Sequence, residues 1–125
     1  MLFGDKDIYK RCYAFALRIV NAYKFLNSEK NERVMSRQLL RCGTSVGALL
    51  CEAKFAQSRA DFVNKVSVAL KEANESLYWI NLLHDSGYIA TAAYDSVCRE
   101  ANEITSILAS IVKSTKENTL KYDSQ

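Results

Sequence analysis

Proline is absent from all 125 residues of this chain, and glycine occurs only four times. Strands need frequent turns, and turns lean on Pro, Gly, Asn and Asp. A small β-sandwich or barrel would be left without its punctuation, so the chain is restricted to a few long elements with short connections. About half of the residues are apolar (49%) and a quarter charged (25%). That balance suits one buried core and excludes a disordered polar tail. No stretch has linker composition, so a single domain is expected over residues 1–120, with a frayed tail over 121–125.

Apolar residues recur at alternating steps of four and three along four runs, the spacing of one helical face. Ile8, Cys12, Phe15, Ile19, Ala22 and Leu26 predict a helix from Asp5 to about Leu26, broken by Asn27 and Ser28. Met35, Leu39, Cys42, Val46, Leu49, Ala53 and Ala56 predict a second, with Ser28 or Asn31 as its cap. The third carries Phe62, Val66, Ala69, Ala73, Ser76, Ile80 and Leu83. Ser58 and Asp61 at its start read as a capping-box variant, and Gly87 suits the left-handed position past its end. Thr91 is expected to cap a fourth, which bears Val97, Ala101, Ile104, Leu108 and Ile111. Four such helices with short connections define an all-α, antiparallel up-down-up-down four-helix bundle. Gly43 and Gly47 fall inside the second helix, where glycine costs up to about 1 kcal/mol each. Close approach of a neighbouring helix is the first explanation and a flexible kink the second.

Little in the chain can do chemistry. The di-iron bundles need Glu-x-x-His pairs, and the one histidine, His84, has Asn81 three residues before it. Asp85 follows His84 directly and should point about 100° away on a helix. No arginine precedes His84 by five to seven residues, as helical ribonuclease toxins require, and no glycine-rich phosphate loop occurs. His84 reads instead as a polar residue favourable at a helix C-terminus. Cys12, Cys42, Cys51 and Cys98 form neither a Cys-x-x-Cys nor a Cys/His pair. They read as reduced, mostly buried thiols of a cytoplasmic protein without metal or cofactor. Lys65, Glu72 and Glu52 suggest either a partly buried charge network or a solvated flank. No run is apolar enough to span a membrane.

The net charge of +3 hides an asymmetry. Residues 1–56 hold ten basic against five acidic side chains, a net +5, which leaves −2 for residues 57–125. Within the basic half, Arg33, Arg37 and Arg41 are spaced by four, and Lys30 lies one turn earlier. On one helix these would form a ridge of guanidinium forks suited to phosphate oxygens of RNA or DNA. Equally, Glu29 and Glu32 could neutralise the ridge through i,i+4 pairs and leave a solvated face. Aromatic residues exceed what one core needs. Tyr9, Tyr13 and Tyr23 on the first helix, and Tyr78 and Trp79 on the third, are expected at an interface between copies of the chain, the alternative being that these rings cap the bundle ends half exposed.

Residues 37–53 (RQLLRCGTSVGALLCEA) and 58–80 (SRADFVNKVSVALKEANESLYWI) carry a family resemblance. In the second run Phe62, Val63, Lys65 and the sequence from Val68 to Ala73 stand at family positions, followed by Glu75, Ser76, Tyr78 and Trp79. Together with the helix order they resemble a bacterial four-helix-bundle family. It includes the proteins encoded by intervening sequences in 23S rRNA genes, some under a ribosomal-protein label, and the accessory proteins of diversity-generating retroelements. Ala53 departs from the glycine that many members carry after the glutamate. The resemblance implies an antiparallel bundle, homopentamers and no enzymatic activity. For the retroelement proteins it implies binding to nucleic acid and a reverse transcriptase. The expectation is therefore a non-enzymatic homo-oligomer associated with nucleic acid through Lys30, Arg33, Arg37 and Arg41. A protein-interaction adaptor with no nucleic-acid contact is the alternative.

Overall fold

The computed structural model describes the backbone of residues 7–123 and the side chains of residues 8–118. Four helices follow in order: α1 (Asp7–Lys30), α2 (Met35–Ala53), α3 (Arg59–Asp85) and α4 (Thr91–Asp123). No strand occurs among the described residues. Each helix packs on its two neighbours in the cycle α1–α2–α3–α4, so α1 and α3 lie across a diagonal. The α1–α4 seam is the least closely packed. The expected bundle is the observed one.

The core follows the apolar stripes closely. All seven stripe residues of α3 are buried, as are Ile8, Cys12, Phe15, Ile19 and Leu26 of α1. On α2 the inward position is Leu50 and not Leu49, which is only half-buried. Ala101, Ile104 and Leu108 form the centre of the α4 stripe, while Val97 and Ile111 pack at its margins. Gly43 has the close neighbour that its place in the helix implied. A β-carbon there would lie 2.8 Å from Cγ1 of Ile19 on α1, whereas one at Gly47 would meet Cys12 at an ordinary 3.5 Å.

The helix ends differ from expectation where side chains reach between elements. The expected start at Asp5 lies outside the described residues. α1 runs through Asn27 and Ser28 to Lys30 and ends at Asn31, whose φ of 53° is left-handed. Asn27 does not break the helix because its Nδ2 donates to the Tyr23 carbonyl and to Oγ of Ser36 on α2. Neither Ser28 nor Asn31 caps α2. Glu32 does so: its carboxylate accepts from the backbone N–H groups of Val34, Met35 and Ser36 at 3.2, 3.1 and 2.8 Å. α2 stops at Ala53, before Ala56, and Phe55 stands out of the following turn. Ser58 caps α3 by accepting from the Asp61 N–H, and Asp61 accepts from Gln57 N, one residue earlier than a reciprocal box would place it. Gly87, at φ 88°, closes α3 with bonds from its own N–H to the His84 carbonyl and from Tyr88 N–H to that of Leu83. α4 continues to Asp123, through the start of the tail expected to fray, and residues 124–125 lie outside the description.

Candidate functional site

The arginine ridge is not a feature of one helix. Because α1 ends at Lys30 and α2 begins at Met35, Lys30 closes α1, Arg33 lies in the connection, and only Arg37 and Arg41 share a helix. The left-handed turn at Asn31 also separates Glu29 from Arg33, so the i,i+4 pair expected between them has no helix to form on. Glu32, the other expected neutraliser, spends its carboxylate on three backbone donors. Burial alone would raise its pKa, but the N–H groups of Ser36, Met35 and Val34 outweigh that and hold it below the ordinary value.

Arg41 is committed elsewhere. Its Nη1 donates to Glu72 on α3 at 3.1 Å, and its Nη2 to Glu75. Glu75 also accepts from Nε1 of Trp79 at 3.0 Å. The indole donor, and after it Arg41, hold the Glu75 carboxyl below the usual carboxylate range. Glu72 thus turns to Arg41 rather than to Lys65, which lines a surface groove with Glu52 beside the α2–α3 turn. Lys30, Arg33 and Arg37 are exposed, and among the described residues none of the three has an ion-pair partner. They gather at the α1–α2 end of the bundle, with Lys30 Nζ 5.9 Å from the Phe25 ring centre.

The aromatic residues separate into two kinds. Tyr9 and Trp79 pack on the core, and Tyr23 is half-buried. Lys54 Nζ sits 3.8 Å above the Tyr9 ring, and burial, with nearby Cys51 second, pushes the Tyr9 hydroxyl up to about 12. Tyr13 and Tyr78 stand out at 68% and 59% exposure. Leu17 is exposed beside Tyr13, and Leu82 lies one turn beyond Tyr78. Tyr13 and Leu17 border an apolar groove of about 620 Å³ between α1 and α2, also lined by Cys12, Gly47 and Ala48. Tyr78 is held edge-on against Trp79, with ring centres 5.0 Å apart. Sequence reasoning missed Phe25, Val34 and Phe55, all exposed. Phe55 carried a signal, an aromatic residue beyond the last turn of α2.

His84 occupies the last turn of α3, as expected, but Asp85 does not point away from it. Asp85 Oδ1 lies 3.2 Å from Nδ1, Thr91 Oγ1 lies 3.2 Å from Nε2, and the imidazole stacks on Tyr94 at 4.0 Å. Tyr94 in turn donates to Asn81 on α3. These contacts tie the two ends of the α3–α4 connection together, and Thr91, the first residue of α4, is engaged there. Cys12 and Cys42 are buried, Cys98 is half-buried and Cys51 is exposed. Burial, then Cys51, pushes the Cys12 thiol up to about 12, which makes it unreactive. Among the described residues no cluster of His, Cys, Asp and Glu could hold a metal ion. No described helix is long and apolar enough to cross a membrane.

Fold and surface together define an antiparallel four-helix-bundle protein whose distinctive features are exposed aromatic patches and a basic end. The sequence profile of the 23S rRNA-intervening sequence protein family matches residues 4–110, and the chain belongs to that family. It is similar to a crystal structure of a protein with unknown function from the S23 ribosomal protein family of Bacteroides thetaiotaomicron. That likeness has 50% identity and a TM-score of 0.85, and covers 90% of this chain and 99% of the other. No curated protein matches.

Proposed function

We propose that this protein is a non-enzymatic scaffold that assembles from several copies of itself into a closed ring, five by the family resemblance. The observation that carries the reading is the placement of two exposed apolar patches, Tyr13 with Leu17 on α1 and Tyr78 with Leu82 on α3. These helices lie across the diagonal of the bundle. A patch on one side that docks the unlike patch of the next copy makes a head-to-tail contact, and such contacts form a ring when the rotation from copy to copy closes. Tyrosine is well suited to that contact because it buries area and keeps a polar tip. In a ring, the Lys30, Arg33 and Arg37 ends would repeat around the axis and add many weak phosphate contacts into useful RNA or DNA affinity.

Assembly is tested by light scattering on a sizing column. The parent should elute as an oligomer, and Tyr13→Glu and Tyr78→Glu should each elute as monomers. Mixing the two variants should restore one intact contact and give a dimer. A monomeric parent rejects the reading. Nucleic-acid binding is tested by RNA and DNA titration across ionic strength, with Lys30, Arg33 and Arg37 all replaced by Glu. A second reading, an adaptor that binds only protein, is favoured by the pairing of Arg41 with Glu72 and Glu75, which removes one of the three forks from the ridge. It holds if the parent binds neither RNA nor DNA at any ionic strength; a triple variant that binds nucleic acid as the parent does rejects the basic end as the contact.

A further inference from the structure

The weakly packed α1–α4 seam contains a cavity of about 230 Å³ that opens to the surface beside Phe25. Its floor is Leu26 of α1, Leu39 of α2 and Ile80 of α3, each at most 1% exposed. Ala22 of α1 and Ala93 of α4 line it where larger side chains would have closed the seam. At the rim, Arg18 Nη1 donates to Glu100 Oε2 at 2.7 Å across the same seam. We propose that this cavity binds a small uncharged aromatic molecule, one or two fused rings with a single polar edge.

Three features select that class. An apolar cavity of about 150 Å³ lined by Leu, Ile and Phe stays dry and accepts a benzene ring, so this larger one accommodates one or two rings. Its floor offers no hydrogen-bond partner, so the body of the ligand must be apolar. At the mouth, the Arg18 fork has donors beyond the one given to Glu100, and the second carboxylate oxygen of Glu100 is an acceptor. A hydroxyl can meet both, accepting from Arg18 and donating to Glu100, whereas a ring N–H can only donate, to Glu100. The ion pair is already neutral, so a carboxylate ligand would gain Arg18 only against repulsion from Glu100.

Titration calorimetry of the full chain with 2-naphthol and with 2-naphthoate tests this. The parent should bind one 2-naphthol per chain with a dissociation constant below about 1 mM, and bind 2-naphthoate at least about tenfold more weakly, the scale of one charge-assisted contact. Glu100→Gln frees the Arg18 charge and should reverse that order. Ala22→Leu and Ala93→Phe should fill the cavity, abolish binding and raise the melting temperature, which separates filling from misfolding. If either variant fails to fold, methyl shifts in the parent decide: 2-naphthol should move Leu39, Ile80 and Val97 selectively. No saturable binding, tighter binding of 2-naphthoate by the parent, or shifts confined to other methyl groups overturns the proposal.

Discussion

Gly43 on α2 lies against Ile19 on α1 with no room for a β-carbon, which would fall 2.8 Å from Cγ1 and 3.0 Å from Cγ2. Ile19 is buried and β-branched, so its γ-carbons cannot swing aside within the helix. Alanine at 43 gains up to about 1 kcal/mol of helix propensity but meets an overpacking cost of about 1–3 kcal/mol. Gly43→Ala should therefore lower stability in urea unfolding, and the same change in an Ile19→Ala background should be neutral or favourable. Gly47 has ordinary contacts with Cys12, so Gly47→Ala should stabilise by up to about 1 kcal/mol.

Glu32 should be the strongest single cap. Replacing it with Gln removes a charge-assisted acceptor from three backbone donors and should cost about 1–2 kcal/mol at neutral pH. Its folded pKa is lowered, so the contribution is complete above the unfolded glutamate value of about 4.3 and fades as pH falls through the lower folded value. Thermal melts of parent and Glu32→Gln should thus differ at pH 7 and converge in acid.

Among the described residues, Glu75 joins two side-chain donors, Arg41 and Trp79, while Glu72 has Arg41 alone. Glu75→Ala should lower the urea midpoint more than Glu72→Ala, though neither should exceed about 1 kcal/mol, because Arg41 is half exposed and solvent screens the pair. The sole tryptophan reports the difference: its emission should shift in Glu75→Ala and not in Glu72→Ala.

Gly87 has no steric neighbour within 4 Å, so its role is conformational. At φ 88° an L side chain is strained, and Gly87→Ala should cost about 1 kcal/mol. Differential scanning calorimetry should show it, and Gly87→Asn should recover part of the loss.

The four stripes, the cap at Ser58 and the turn at Gly87 were legible because each rests on residues within about one turn of one another. All seven expected residues of α3 are buried for that reason. The four-by-four spacing of Arg33, Arg37 and Arg41 was equally visible, yet it described a helix that does not include Arg33. The chain turns at Asn31, and it is Glu32, reading forward onto three N–H groups, that sets where α2 begins. Helix boundaries depend on such competition between local partners, which periodicity does not measure.

By itself, then, the sequence determined the bundle, its order and nearly all of its core, since helical period and burial are properties of one element at a time. Tertiary structure alone decided that Leu50 rather than Leu49 turns inward, that Arg41 is taken by Glu72 and Glu75, and that Tyr13 and Tyr78 stay outside while Tyr9 and Trp79 pack on the core. Each of those outcomes depends on the rotation of a helix about its axis and on what faces it from another helix.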